Sequence, residues 1–369
     1  MSKAMKIGYE AKRIFHNASG LGNYSRNLVR MLSGCYPQNE YLLFNPAPGK
    51  VPFTLPPSCR EIQPQLKNGF YRQLWRQRLV SSDAQREQVE VYHGLSAELP
   101  QGLMRRGIKT VVTVHDVIFM RYPKLYKRID RNIYRQKLKA ACKRAHHIVA
   151  ISQQTRQDLI EFLKIDPQRI SVIPPGIDPV FWKNQQSQYA RIIQQYQLPA
   201  RYALFVGTLE PRKNPVLLAQ QCLKLHIPLV LVGRKTPYWQ RFYNSLSANE
   251  KAALYTPKVV HNSDLAGLYQ MADFMAYPSV FEGFGLPVLE AQACKTPVIT
   301  STLSSLPEAA GPGSMLVNPH KPEELKEALH EVWQKPPHLA KAVEDNYGHA
   351  LNFSDKILAQ LWQEIYQQL

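Results

Sequence analysis

Residues 281–291 read F-E-G-F-G-L-P-V-L-E-A, a glycine-rich stretch with a carboxylate near each end, Glu282 and Glu290. Proline suits the first turn of a helix, where a missing N–H costs nothing, so Pro287 sets a helix start just after the glycines. Phe284, Gly285 and Leu286 should then present free backbone N–H groups, and the helix dipole there favours anions and hydroxyl oxygens. Upstream, D-F-M-A-Y-P-S (273–279) is an apolar, strand-like run closed by Pro278, and downstream P-V-I-T-S (297–301) is rich in β-branched residues. Alone, E-G-F-G is a turn beside a solvated glutamate. Flanked in this way it makes a strand–loop–helix–strand unit, whose ligands bind at the carboxyl ends of the strands, where Glu282 falls.

The pattern recurs along the chain. K-I-G-Y-E (6–10) reads as a strand, followed by the glycine loop S-G-L-G-N-Y (19–24) and a helix from about Tyr24 with Leu28, Val29 and Leu32 apolar. Further strands are expected at 41–44, 89–93, 110–115, 147–152 and 170–174 in the first half. In the second half they fall at Y-A-L-F-V-G, L-V-L-V-G, K-V-V-H (258–261), D-F-M-A-Y, P-V-I-T and S-M-L-V-N. Helical segments alternate with these strands, as a doubly wound parallel sheet requires. The composition shifts at the glutamine-rich 184–197, so one Rossmann-like domain is expected over 1–185 and a second over 186–351. The tail, with apolar Ile357, Leu358, Leu361, Trp362 and Ile365 at helical spacing, needs a surface to pack on.

With 369 residues and 44% hydrophobic content, the chain can bury two separate cores. Its five cysteines form no C-x-x-C pair, which indicates neither a disulfide framework nor a zinc site and fits a reducing cytoplasm. No signal-peptide core and no membrane-length apolar run is present. A net charge of +18 attracts nucleotide phosphates, nucleic acid or an anionic membrane surface alike. Basic and aromatic residues interleave at 67–80 and 121–139. Either segment is a membrane-surface face or a solvated basic helix packed through its apolar side. No nucleic-acid motif accompanies the charge, so nucleic acid is not an expected partner.

The Glu282–Glu290 pair, seven residues between them, matches in spacing and flanks the E-x7-E motif of glycosyltransferase family 4, the retaining GT-B glycosyltransferases, which this chain resembles over essentially its whole length. The resemblance implies an α/β GT-B fold, two Rossmann-like doubly wound domains facing a central cleft, with a last helix (352–369) returning to the N-terminal domain. It implies that Glu282 contacts the donor sugar near its reacting carbon and that Glu290 binds the ribose of the nucleotide. Arg212 and Lys213, in E-P-R-K-N after the strand ending at Gly207, would stabilise the departing diphosphate. Many members carry an arginine directly after the strand glycine, where this chain has Thr208, so the load is shared between Arg212 and Lys213 in an order the motif does not fix.

By the same resemblance His115, closing T-V-V-T-V-H, faces the donor sugar, and the backbone around Val260 and His261 meets the nucleobase. Gly20 and Gly22 let the main chain approach the donor phosphate and the acceptor. The same G-L-G lacks the third glycine of a dinucleotide fingerprint, and no acidic residue ends the next strand, which disfavours NAD. His93 is a further candidate on the acceptor side, and Asp264 reads as a helix N-cap. Glu308 lies in a family-like S-S-L-P-E-A-A-G.

No D-x-D signature is present, so the expectation is no metal and no cofactor beyond a nucleotide diphosphate sugar as co-substrate. The implied reaction is retaining transfer of a hexose to a hydroxyl of a glycan or lipid-linked glycan in surface polysaccharide assembly. GDP-mannose is the leading donor, with UDP-glucose and UDP-N-acetylglucosamine as alternatives, and a cytoplasmic location peripheral to an anionic membrane is implied. A GT-B sugar-nucleotide epimerase would use the same nucleotide pocket without an acceptor.

Overall fold

The computed structural model describes residues 4–65, 68–258 and 260–369 and divides into two compact units. The first comprises the chain up to Gly176 together with Ser354–Leu369, and the second is Ile177–Phe353.

The first unit is built on seven strands, β1 (Lys6–Glu10), β2 (Glu40–Phe44), β3 (Cys59–Ile62), β4 (Val91–Gly94), β5 (Lys109–Val114), β6 (His147–Ala150) and β7 (Ile170–Val172). They form one parallel sheet in the order β3-β2-β1-β4-β5-β6-β7. A parallel sheet is covered on both faces, which is why β5 can be the β-branched run K-T-V-V-T-V with all but its first residue buried. One face packs into a core around Phe44, Trp75, Tyr92, Val112 and Leu159. The order reverses between β1 and β4, so the crevice at their carboxyl ends is where a ligand is expected to sit.

The second unit repeats the plan with β8 (Ala203–Val206), β9 (Leu229–Val232), β10 (Leu254–Tyr255), β11 (Phe274–Tyr277), β12 (Val298–Ser301) and β13 (Met315–Val317). These too are parallel, in the order β10-β9-β8-β11-β12-β13, with the reversal between β8 and β11. Both units therefore have the doubly wound topology read from the alternating strand and helix patterns.

Several local expectations are corrected. The helix after β1 spans Gly20–Cys35, so Gly20 and Gly22 lie in its first turn and not in a loop ahead of Tyr24. A Cβ on Gly22 would stand 1.8 Å from the Asn17 carbonyl oxygen, whereas one on Gly20 would meet nothing within 4 Å. Only Gly22 is required by close approach. The strand expected at 258–261 is displaced upstream to β10; Val259 lies outside the described residues, as do Lys67 and the first three residues. In the basic segment from 121 the long helix begins only at Arg128, after a short turn over Pro123–Leu125.

The division between the units falls after Gly176, ahead of the expected 185/186. The turn Pro179–Trp182 belongs to the second unit, where Phe181 packs edge-on to Tyr269 at 5.8 Å and its carbonyl accepts from Cys294 Sγ at 3.3 Å. The terminal helix Asp355–Gln368 lies on the first unit through Leu358, Trp362, Ile365 and Tyr366, a stripe at i, i+4, i+7 and i+8. Ile357 and Leu361 sit on the neighbouring stripe and are exposed, contrary to the expectation that they pack. Among the described residues no helix is long and apolar enough to cross a membrane.

Candidate functional site

At the switch point of the second sheet, the turn after β8 carries Arg212 and Lys213, and the loop after β11 carries Glu282. The topology thus brings two adjacent cations together with a carboxylate 69 positions beyond Lys213. Glu282 Oε1 accepts from Lys213 Nζ, Tyr277 Oη and Ser279 Oγ, each at 2.9 Å, and Arg212 Nη1 stands 2.9 Å from the same oxygen. Oε2 takes no partner among the described residues. Burial alone would raise the Glu282 pKa, but the charges and hydrogen bonds of Lys213 and Arg212 outweigh it and hold the carboxyl down at about 2. For Arg212, burial opposes the charged form and Glu282 more than offsets it, so the guanidinium stays firmly protonated.

The cluster is also tied through the main chain. Arg212 donates to the Phe281 carbonyl and to Glu210 Oε1, the latter at 2.6 Å, while the Arg212 carbonyl accepts from Val280 N–H at 2.8 Å. Ser304 Oγ accepts from the Glu282 N–H, and Ser305 Oγ donates to the Glu282 carbonyl, both at 2.9 Å. Glu282 is therefore clamped at backbone and side chain, with one carboxylate oxygen left for a ligand.

The helix begins at Leu286 with Pro287 in its first turn and Gly285 as an N-cap that makes no side-chain bond. Gly285 has φ 120°, and a Cβ there would fall 2.8 Å from Leu306 Cδ2, so both backbone and packing demand glycine. Phe284 is buried against Phe353, ring centroids 5.7 Å apart. One helical turn on, Glu290 accepts from Tyr269 Oη at 2.9 Å. Desolvation raises its pKa to about 7, the Tyr269 hydrogen bond lowering it and Asp178 adding repulsion. Two glutamates eight positions apart thus have pKa values driven in opposite directions by their surroundings. His261 is the residue that caps the helix Asn262–Met271, with Val260 just before it. Asp264 is not the N-cap. It lies inside that helix and binds Arg191 and Tyr196, and Tyr196 Oη donates to it at 2.8 Å.

In the first unit His115 follows β5 and its Nε2 bonds the Leu95 carbonyl at 2.8 Å, with the Tyr24 ring edge-on at 4.5 Å. Burial lowers its pKa to about 4, against a smaller upward effect of the Leu95 carbonyl. Neutral imidazole that donates from Nε2 keeps Nδ1 as an acceptor. His93 is different. Both of its nitrogens are engaged, Nδ1 with Tyr366 Oη and Nε2 with Thr113 Oγ1, each at 2.8 Å, and it is fully buried against Trp362. It is a core histidine, not a group facing an acceptor.

The charged members of the second unit's cluster were legible in sequence, whereas Tyr277, Ser279, Ser304, Ser305 and Tyr269 were not singled out. Tyr277 and Ser279 lie five and three positions before Glu282, inside the strand-like run already quoted. Their hydroxyls were the available signal. Among the described residues no cluster of three or more His, Cys, Asp or Glu has the arrangement of a metal site.

The family model described as Glycosyltransferase Family 4 matches residues 18–181, and the one described as Glycosyl transferases group 1 matches residues 190–349. The chain is 30% identical over 349 residues to O-antigen chain mannosyltransferase B of Escherichia coli, a match covering 86% of this chain and 87% of that one. It is 30% identical over 238 residues to the serotype-specific mannosyltransferase WbdA of Escherichia coli, covering 61% of this chain and 29% of WbdA. In structure it is similar to the sucrose-phosphate synthase of Thermosynechococcus elongatus, with TM-score 0.77 at 20% identity over 99% of this chain and 98% of the other.

Proposed function

Because this chain belongs to glycosyltransferase family 4 and has the GT-B fold, we propose that it transfers a hexose from a nucleotide diphosphate sugar to a glycan hydroxyl with retention at the anomeric carbon. The observation that carries the reading is the pinning of Glu282 Oε1 by Lys213, Arg212, Tyr277 and Ser279, which leaves Oε2 for the sugar.

In this reading the donor diphosphate lies against Lys213 and Arg212, whose charges offset the negative charge that builds as the anomeric C–O bond breaks. The acceptor attacks from the side the diphosphate leaves, and the leaving phosphate oxygen takes the acceptor proton. Glu282, ionised at neutral pH, orients the sugar and stabilises the positive charge developing at the anomeric carbon. It is not assigned the part of nucleophile. Leaving-group stabilisation by two side-chain cations and the helix N-terminus at Gly285 makes the mechanism metal-independent. Glu290 holds the ribose hydroxyls, His115 Nδ1 accepts from a sugar hydroxyl, and the main chain at Gly22 and His261 lies against the ligands.

Mannose from GDP-mannose is the proposed donor sugar, supported by the likeness to mannosyltransferases at 30% identity, and surface polysaccharide is the proposed product. A peripheral place at the cytoplasmic membrane face is supported by the basic helix Arg128–Arg144, on which Ile129 and Ile133 are exposed. The test is saturation-transfer NMR with GDP-mannose, UDP-glucose and UDP-N-acetylglucosamine on the wild type and Glu290→Ala. One donor should bind selectively and be lost in the variant. Binding of none, or binding indifferent to Glu290, sinks the assignment of the site.

A further inference from the structure

A second polar crevice lies within the first unit, apart from every residue assigned to the donor site. The connection from β4 to β5 carries only the single turn Met104–Arg106 where a doubly wound sheet usually has a full helix. The segment before β4 and the helix Arg128–Arg144 are therefore left with a gap between them. Two adjoining pockets fill it, one of about 290 Å³ and one of about 900 Å³, and they share Pro100, Gln101 and Arg144.

The two ends differ in chemistry. The larger pocket is lined by Arg78, Arg105, Arg106 and Arg144 and by no acidic residue. Among the described residues no carboxylate pairs with any of these four arginines. Arg106 is held in place by neutral partners, Ser81 Oγ at 3.3 Å, Gln85 Oε1 at 2.6 Å and Ser82 Oγ at 2.8 Å, so its fork is oriented while its charge is left uncompensated. The Arg144 Nε is buried without a hydrogen-bond partner. Arg78, Arg105 and Arg106 are exposed and Arg144 is half-buried, and their clustered planar donors match the geometry of phosphate.

The smaller pocket is lined by carboxylates and amides, Glu10, Glu98, Gln77, Gln101 and Gln136, with the apolar Leu99 and Pro100 alongside. Arg76, its side chain 10% exposed, is bound between Glu98 and Glu10, the latter 3.5 Å away, and its Nε has no partner. Lys137 stands 3.9 Å from the other oxygen of Glu98. Carboxylates held by Arg76 and Lys137, with amide groups over an apolar floor, suit the hydroxyls of a polyhydroxylated ring. The volume is near the lower end of the range of about 300–1,000 Å³ usual for small-ligand sites.

We propose that this crevice binds a glycosyl phosphate or diphosphate, the anionic group on Arg78, Arg105, Arg106 and Arg144 and the sugar hydroxyls on Glu10, Glu98, Gln101 and Gln136. It rests on the transferase reading only in naming that ligand as the head group of the acceptor.

The experiment is calorimetric titration of the full chain with glucose 1-phosphate, with methyl glucoside, and with a glucosyl diphosphate carrying a short alkyl chain. The proteins are the wild type, Arg105→Gln/Arg144→Gln and Glu290→Ala, with melting temperatures as the check on folding. The double variant should weaken glucose 1-phosphate binding at least tenfold while melting as the wild type does. Glu290→Ala should bind as the wild type does, and methyl glucoside should bind far more weakly. Tighter binding of the alkylated diphosphate through the same arginines assigns a lipid-linked source, and equal binding a soluble one. Glucose 1-phosphate binding that survives in the folded double variant, or that is lost in Glu290→Ala, overturns the proposal. Failure of every nucleotide sugar to bind, with glucose 1-phosphate still dependent on the arginines, would remove the transferase reading and leave this site standing.

Discussion

Lys213 Nζ and Glu282 Oε1 stand 2.9 Å apart although 69 positions separate them in the chain, with both side chains little exposed. The pair exists because β8 and β11 are neighbours in the sheet while β9 and β10 lie on the other side of β8. Glu282→Gln keeps the shape and removes the charge. Loss of one preorganised electrostatic group is expected to lower kcat by about 10²–10³-fold. Steady-state kinetics with the donor saturating would check this, and an unchanged kcat would refute the role given to Glu282.

Lys213→Met removes a cation that holds the Glu282 pKa down, with Arg212 remaining. The Glu282 pKa is then expected to rise from about 2, and activity to fall by a further readable feature, a loss at acidic pH that the wild type lacks. The pH–rate profiles of the two proteins between pH 4 and 7 make the comparison. Identical profiles would mean that Arg212 alone sets the charge state.

The Glu290 pKa is raised to about 7, above the ordinary carboxylate value of 4.5. The folded protein therefore binds more protons than the unfolded chain between these values, and stability falls as pH rises through that window. Glu290→Gln should stabilise the unliganded protein above pH 7 by about 1–3 kcal/mol, and the gain should vanish below about pH 4.5. Glu282 contributes in the opposite sense, its stabilisation being present above 4.5 and lost as pH falls toward 2. Urea melts at several pH values would resolve the two. Donor affinity, which needs the Glu290 carboxylate, should rise with pH through about 7 in the wild type and stay flat in Glu290→Gln.

Gly285→Ala places a side chain on a backbone with φ 120° and against Leu306. A cost of about 1–3 kcal/mol is expected from the strain, seen as a lower Tm, together with weaker donor binding because the helix start must move. An unshifted Tm would show that the loop can re-form around alanine.

Trp362 is fully buried and packs on His93 at 4.8 Å between ring centroids. Trp362→Ala should destabilise by about 3–5 kcal/mol, measured by denaturant unfolding, while binding of nucleotide by the second unit persists. Loss of both together would show that the two units do not unfold separately.

Most of the doubly wound pattern was legible because its central strands are buried on both faces and therefore read as apolar, β-branched runs. The strand that escaped notice, β3, and the one that was placed too late in the chain, β10, are at sheet edges. β3 is C-R-E-I, with Arg60 exposed, and β10 has two residues, too few for periodicity. Sequence likewise marked Glu282, Arg212 and Lys213 by motif, but the hydroxyls that orient Glu282 are ordinary strand and loop residues whose role appears only when the fold closes around them. His93 misled for a related reason. A histidine ending a strand looks available until a helix from the far end of the chain covers it with Tyr366 and Trp362.

That last helix has a bearing on how the molecule is made. Tyr9 and His93 are covered by residues that a ribosome adds much later, Trp362 and Tyr366, with Tyr366 lying 273 positions beyond His93. Domains usually complete their folding in the order in which they emerge. Here the order is inverted: the whole of Ile177–Phe353 is synthesised, with its sheet able to close, before the amino-terminal half receives its last structural piece. Until Ser354–Leu369 has emerged, that half exposes an apolar stripe meant for Leu358, Trp362 and Ile365, and any chain truncated before Ser354 carries that exposed surface permanently.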